Sequence, residues 1–333
     1  MPELLYTPHY SPELEKYNEF GFEISKTLVS NVANHDDPHD GFSPQEYDIE
    51  LYPYQRPDCI RVSGENAGSE VLRYIASQVY PNVEPIIESY KKRPDLLNHI
   101  YDKLNGGHDT GIITDHSSVI GVAIAGGALA CALYEEDYMS PDDLRTGIFV
   151  SSMIKRSMLQ GSMPTVDILA SIFSETFFSL PPSESIRNLD IPKEYRTDFN
   201  TEIKADFDSL VNADGAMLLM LAGSGSRDKT GTLSLGRKRV FMGPLANGTV
   251  DILQKIYSLP VGIDIRGEKP HIFIDKLQQP VSSSEEAHLG MQKIANGMSK
   301  GLKTRRKYYR TREQYKEAWQ RTVEYKKSLE SSD

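Results

Sequence analysis

The spacing of apolar residues changes near residue 105 of this 333-residue chain. Before that point, apolar positions recur every three to four residues, which predicts amphipathic helices. These helices are predicted over 12–32, 67–80, 83–92 and 95–105. Residues 35–66, rich in Asp, Pro, Gly and Tyr, are loop-like. We therefore expect a smaller, mostly helical N-terminal module over residues 1–105.

From residue 106 onward, short apolar runs alternate with longer amphipathic segments. The runs predict strands over 110–115, 147–153, 176–181, 216–222, 259–266 and 271–275. The other segments predict helices over 117–136, 164–173, 193–213, 247–258 and 284–302, the last opened by the capping signature Ser283-x-x-Glu286. This alternation is typical of α/β proteins, so we expect a mixed, largely parallel sheet flanked by helices over residues 106–302.

The C-terminal segment, residues 303–333, predicts a basic helix over roughly 311–329. Residues 303–327 hold ten Lys and Arg against three Glu, whereas the whole chain has a net charge of −10. This imbalance favours contact with an anionic membrane surface through 303–327, with Tyr308, Tyr309 and Trp319 at headgroup level. The acidic remainder argues against nucleic acid as the partner. A solvated terminal helix is the alternative.

Cysteine content and the apolar runs bear on the compartment. The only cysteines are Cys59 and Cys131, which excludes a disulfide framework and a cysteine zinc site and fits a reducing environment. The start of the chain lacks the pattern of a secretory signal. The longest apolar run, 119–133, is shorter than the roughly 20 residues of a spanning helix. We expect a cytoplasmic protein with peripheral contact to the membrane.

Two apolar runs end in polar turns that carry candidate chemistry. The segment GIITDHSSVIG places His116 between a predicted strand and a helix, where an imidazole can act as a general base. A structural histidine bonded to a loop carbonyl is the alternative. The later segment LAGSGSRDK offers glycines whose amides can approach an anion, and the cations Arg227 and Lys229. An ordinary solvated loop is the alternative there.

Taken together, these segments resemble the glycerol-3-phosphate acyltransferase family within the lysophospholipid acyltransferase superfamily, most closely its soluble, chloroplast-type members. In that family one strand runs into Asn-His-x4-Asp and a later strand into a Pro-Ser-Gly-Gly-Arg-Asp-Arg type of turn. Here the corresponding segments read ITDHSSVIG and LAGSGSRDK, with Gly223 where the family often has proline. The segment LPVGID over 259–264 is similar to the family's last block. The resemblance covers roughly residues 100–300 through short motifs.

The resemblance implies an enzyme of glycerolipid synthesis. It would move a fatty acyl group from acyl-CoA or acyl carrier protein to glycerol 3-phosphate or a lysophospholipid. His116 would deprotonate the acceptor hydroxyl, and Arg227, Lys229, Ser224 and Gly225 would bind its phosphate. The resemblance implies no metal, no cofactor and no covalent enzyme intermediate, because the acyl thioester is itself a substrate.

The chain departs from the family at the motif aspartate, where it has Gly121. That carboxylate orients the imidazole, and loss of the equivalent group in hydrolase triads costs about 10⁴ in turnover. Asp109, Asp115 and Asp137 are candidate replacements. The alternative function is therefore a catalytically inactive acyltransferase-like protein that binds lipid or acyl groups.

Two other clusters leave further alternatives open. Ser117 or Ser118 could act as a nucleophile beside His116, although the chain has no Gly-x-Ser-x-Gly elbow. The segment HDDPHD over 35–40 has two His and three Asp, which suit a divalent metal, with a flexible acidic loop as the alternative.

Overall fold

A computed structural model describes part of the chain. The described residues are 59–63, 83–116, 119–140, 143–151, 175–179, 208, 215–224, 228–233, 236–264, 269–300 and 304–331. The helices predicted over 12–32, 67–80 and 164–173, and nearly all of the one over 193–213, lie outside these residues. The described part is α/β, with a mixed, largely parallel arrangement of strands flanked by helices, as the sequence predicts.

The strands and helices of the described residues are numbered in chain order. The strands are β1 (Cys59–Ser63), β2 (Thr110–Thr114), β3 (Arg145–Ser151), β4 (Glu175–Ser179), β5 (Met217–Ala222), β6 (Lys229–Thr232), β7 (Lys238–Met242), β8 (Tyr257–Asp264), β9 (His271–Ile274) and β10 (Arg305–Tyr308). The helices are α1 (Glu84–Lys91), α2 (Pro94–Asn105), α3 (Val119–Glu135), α4 (Asn247–Leu253), α5 (Ser284–Met298) and α6 (Arg312–Glu330). Within the described residues, none of these helices combines the length and apolarity needed to cross a bilayer.

The chain forms two compact units. The first comprises Met1–Asp109 and Gly126–Leu219, and the second comprises Thr110–Ala125 and Met220–Asp333. In the first unit, β4 pairs parallel with β3 and antiparallel with β1. Helices α1 and α2 of this unit confirm the predicted helical segment before residue 105. Each has a proline in its first turn, a position that needs no donor from the main chain.

The main sheet of the second unit pairs β2 parallel with β8, and β8 antiparallel with β9. All five residues of β2 are buried, as expected for a parallel strand covered on both faces. Helix α5 packs on β8 and β9, and glycines permit the close approach: a Cβ at Gly262 would overlap Met298. The predicted cap of α5 is confirmed at Ser283, whose Oγ accepts from the Glu286 amide at 3.2 Å. The reciprocal bond of a capping box is shifted by one residue, because the Glu286 carboxylate accepts from the Ser282 amide at 2.8 Å.

A second, three-stranded sheet of this unit has the order β10-β7-β6. Strand β7 pairs parallel with β10 and antiparallel with β6. The sequence did not predict these strands: the segment after residue 302 begins with β10, and helix α6 starts only at Arg312. The predicted helix over 247–258 ends at Leu253 because β8 begins at Tyr257. Strand β1 likewise lies within the stretch predicted to be loop.

Candidate functional site

The two polar turns singled out in the sequence meet in the second unit. His116 follows β2, and its main-chain amide donates to Asp228 Oδ2 at 3.0 Å. The Asp228 amide donates in return to the His116 carbonyl at 2.8 Å. A third bond runs from the Gly223 amide to the Thr114 carbonyl at 3.1 Å. The histidine turn and the glycine loop are therefore joined at the ends of β2 and β5 by two main-chain bonds and one bond to the Asp228 carboxyl group.

Asp228 is the carboxyl group at the centre of this junction. It is buried, and the main-chain amides of His116 and Gly243 donate to it. Its pKa is raised to about 8, chiefly by burial and also by the negative charge of Asp115, while Arg306 and the amide donors oppose the shift. The raised pKa favours the protonated form of Asp228 at neutral pH.

Asp115 and Arg306 form a buried ion pair beside the same turn. Arg306 Nη2 lies 3.3 Å from Asp115 Oδ2 and 3.1 Å from Asp264 Oδ2. Asp115 Oδ1 also accepts from the Ile263 amide at 3.0 Å. Because Arg306 comes from β10, this pair ties the C-terminal strand to the ends of β2 and β8.

The structure corrects the interpretation of the basic segment in two respects. Arg306 is 6% exposed and faces carboxylates, so it is not a surface cation. Tyr308 and Tyr309 are 4% and 6% exposed, so their rings belong to the core and do not lie at headgroup level. The alternation of exposed and buried residues in β10 is that of a strand, which separates neighbouring side chains onto opposite faces.

The other two candidate carboxylates belong to the first unit. Asp109 precedes β2, whereas His116 follows it, and Asp109 Oδ1 accepts from the Met217 amide at 2.6 Å. Asp137 follows α3 with a positive φ of 57° and is exposed. Of the three carboxylates suggested by the sequence, Asp115 is the one beside His116 in the chain and in the second unit.

The contacts of Gly223 explain why a proline would not fit at this position. The Gly223 amide is a donor to Thr114, which a proline cannot be. A Cβ at Gly223 would lie 2.6 Å from Met291 Sδ and 3.2 Å from Leu245 Cδ2. Ser224 is half-buried just after this turn. Gly225 and Arg227 lie outside the described residues.

Lys229 lies past the loop, at the first position of β6. Its side chain is exposed, and Nζ lies 5.0 Å from the centroid of the Trp319 ring, within the range of a cation–π contact. Its predicted contact with a substrate phosphate stays a prediction. Ser117, Ser118 and the segment 35–40 lie outside the described residues. Within the described part of the chain, no group of three or more His, Cys, Asp or Glu could hold a metal ion.

Sequence reasoning did not single out Asp228 or Arg306. Asp228 stands between two cations in a polar loop, a pattern typical of a solvated residue, and its burial depends on contacts distant in sequence.

Neither a scan against protein-family models nor a search of curated proteins finds a match for this chain. What the site offers is a partly exposed histidine fixed beside a glycine-rich loop. Such a pair suits proton transfer on an anionic substrate.

Proposed function

We propose that this protein is an acyltransferase that moves a fatty acyl group from acyl-CoA or acyl carrier protein to glycerol 3-phosphate or a lysophospholipid. The reciprocal bonds between His116 and Asp228 are the observation that carries the proposal. They hold a candidate base and a candidate phosphate loop side by side. A small phosphorylated alcohol can contact the base and the phosphate loop together only if they lie within the length of the molecule.

The proposed reaction begins when the His116 imidazole takes the proton of the acceptor hydroxyl. The acceptor oxygen attacks the thioester carbonyl, a C–O bond forms, and the C–S bond then breaks. The departing thiolate receives the proton from the imidazolium, so histidine is regenerated and no cofactor is consumed. A positioned base of this kind contributes about 10²–10⁴ in rate.

The acceptor phosphate is proposed to bind the glycine loop. The amides at Ser224 and Gly225 and the Arg227 guanidinium are its donors, since a planar guanidinium can bind two phosphate oxygens at once. Two bonds fix the start of this loop, from the Gly223 amide to Thr114 and from the Ala246 amide to the Gly223 carbonyl at 3.2 Å. The reaction would take place in the cytoplasm at an anionic membrane surface, with residues 303–327 contributing the membrane contact.

The positioning of His116 is proposed to depend on the neighbouring acids in place of the family's motif aspartate. Position 121 is glycine and contributes no carboxylate. Asp228 fixes the His116 main chain, and Asp115 is the adjacent residue. This arrangement would hold the histidine through its backbone.

A second candidate is an inactive acyltransferase-like protein that binds lipid or acyl groups. It is favoured by the bonds of the nearby carboxylates: Asp115 accepts from the Ile263 amide and pairs with Arg306. Asp228 accepts from the His116 amide. These bonds serve the fold as well as they would serve catalysis.

Thiol release from acyl-CoA and acyl carrier protein tests the proposal, with glycerol 3-phosphate and lysophosphatidate as acceptors. We expect acceptor-dependent release that falls by about 10²–10⁴ in His116→Ala. His99→Ala, an exposed histidine on α2, is the matched control and should keep wild-type activity. Inactivity of the wild type with every pairing would reject an acyltransferase. If only Gly121→Asp showed turnover, the wild type would be the inactive binding protein of the second candidate.

A further inference from the structure

One face of the small sheet concentrates positive charge. The register aligns Arg305 with Arg239, and Arg239 with Gly231. It also aligns Lys307 with Phe241, and Phe241 with Lys229. Paired residues of neighbouring strands share a face, so four of these six positions are cations. We call Lys229, Arg239, Arg305 and Lys307 the basic sheet face.

Aromatic contacts confirm that these positions share one side of the sheet. The Trp319 ring of α6 meets the Phe241 ring edge-on, with centroids 5.5 Å apart. The same ring lies beneath Lys229 Nζ at 5.0 Å. Lys307 Nζ lies 5.2 Å from the Tyr309 ring, which in turn stacks on Phe241. Helix α6 packs on β6 and β7 and leaves Arg305 and Lys307 on β10 exposed.

The charge of this face is not neutralised within the described part of the protein. Among the described residues, no carboxylate forms an ion pair with any of the four cations, and Arg305 donates instead to the Ser299 carbonyl at 2.8 Å. Neighbouring strands are about 5 Å apart, so these like charges repel one another. Such a group on a chain of net charge −10 is complementary to a polyanion.

We propose that the basic sheet face binds the phosphates of an anionic phospholipid bilayer. This inference rests on the proposed function, because that reaction delivers a phospholipid precursor to a membrane. It goes beyond the contact assigned to residues 303–327, since Lys229 and Arg239 lie outside that segment and the Arg306 side chain is buried in ion pairs. Two of the four cations lie over aromatic rings. Lipids diffuse within a bilayer, so their phosphates can align with cations that are spaced apart on the protein surface.

Vesicle binding by the full chain tests the inference. Sedimentation compares binding to vesicles of phosphatidylcholine with about 30 mol% phosphatidylserine and binding to vesicles of phosphatidylcholine alone. Trp319, the single tryptophan of the chain, reports contact at this face through its emission. We expect binding to the anionic vesicles that weakens with salt. Each cation contributes about fivefold to such binding, so Arg239→Glu/Lys307→Glu should weaken it more than tenfold.

The matched control is Lys92→Glu/Lys276→Glu, which makes the same change of charge at two exposed lysines that are not part of the small sheet. This control should weaken vesicle binding less than about threefold, which is the effect expected from the change in net charge alone. Truncation after Gly301 is not a suitable variant, because it deletes β10 and the Arg306 ion pairs. Should Arg239→Glu/Lys307→Glu fail to fold, Arg239→Gln/Lys307→Gln removes the same charges with a smaller perturbation.

Equal binding to neutral vesicles, equal losses in both charge variants, or tighter binding to duplex DNA than to anionic vesicles would overturn the inference. Acyl transfer to soluble glycerol 3-phosphate, assayed without vesicles, separates it from the proposed function. A face variant that keeps this activity but loses vesicle binding supports the inference. If the wild type binds anionic vesicles through the face but transfers no acyl groups, the proposed function is rejected and the inference about the basic sheet face still holds.

Discussion

His116 and Asp228, 112 positions apart in sequence, exchange hydrogen bonds in both directions through their main chains and one carboxyl group. The His116 amide donates to Asp228 Oδ2 at 3.0 Å, and the Asp228 amide donates to the His116 carbonyl at 2.8 Å. Both bonds act on the main chain of His116. The fold therefore fixes the position of the candidate base through its backbone, and a change at Asp228 acts on the turn as a whole.

Asp228→Asn should flatten the pH dependence of stability. The folded pKa of about 8 lies above the ordinary value of 3.8, so the folded chain keeps a proton that the unfolded chain has released. The contribution of Asp228 to the free energy of unfolding therefore falls as the pH rises from about 4 to about 8. Asparagine cannot ionise, so urea unfolding at pH 5, 6.5 and 8 should show a smaller fall in the variant.

Asp251→Asn is the control for this measurement, because Asp251 is exposed on α4. It should keep the wild-type slope of stability against pH. A slope in Asp228→Asn as steep as that of the wild type would mean that Asp228 is ionised in the folded protein across this range.

Arg306→Met should cost far more stability than Arg305→Met, although the two residues are neighbours in one strand. Loss of Arg306 leaves Asp115 and Asp264 without their buried cation, which costs about 3–5 kcal/mol in comparable pairs. Arg305 is exposed, and its loss should change the free energy of unfolding by less than about 1 kcal/mol. Chemical denaturation of both variants gives the comparison, and equal losses would count against the buried ion pair.

The elements with strong hydrophobic patterns could be predicted from the sequence. The apolar runs of β2, β5 and β8 and the amphipathic faces of α5 and α6 have the required periodicity, and the structure confirms them. The strands of the small sheet could not be predicted in this way. RRKY in β10 and KTGT in β6 have few apolar residues, and their pairing with β7 is a contact between distant segments.

The candidate site could be predicted only in part for a related reason. The two turns around His116 and Gly223 follow apolar strands, so their position at strand ends was visible in the sequence. The roles of Asp228 and Arg306 could not be predicted, because their sequence context suggests solvated residues whereas the structure buries them. A carboxyl group in a polar loop and an arginine in a basic run both look solvated until long-range packing encloses them.

Gly223→Pro should destabilise the protein more than Gly223→Ala. Alanine brings a Cβ within 2.6 Å of Met291 Sδ, but that side chain is flexible and can move. Proline adds the loss of the amide that donates to Thr114. We expect a loss of about 1–3 kcal/mol for alanine and a greater one for proline. Thermal unfolding measures both, and a more stable proline variant would contradict the described loop.

Arg227→Ala should weaken acceptor binding much more than donor binding. A guanidinium holding two phosphate oxygens is not replaced by water at equal strength. The expected result is a rise of at least about tenfold in the KM for glycerol 3-phosphate, with the KM for acyl-CoA changed less than about twofold. Arg237→Ala, which removes an exposed arginine from the hairpin after β6, is the control. Equal changes in both KM values would remove Arg227 from the phosphate site.

Gly231→Ala should loosen helix α6 from the small sheet. A Cβ at this position would lie 2.5 Å from Thr322 Cγ2 and 3.0 Å from Trp319 Cζ3, so the helix must shift outward. Overpacking of this kind costs about 1–3 kcal/mol. Gly248→Ala meets nothing within 4 Å in helix α4 and should instead stabilise by up to about 1 kcal/mol. Trp319 emission separates the two variants, because only the first changes the contacts of that ring. An unchanged emission spectrum in Gly231→Ala would show that α6 does not pack on β6 in solution.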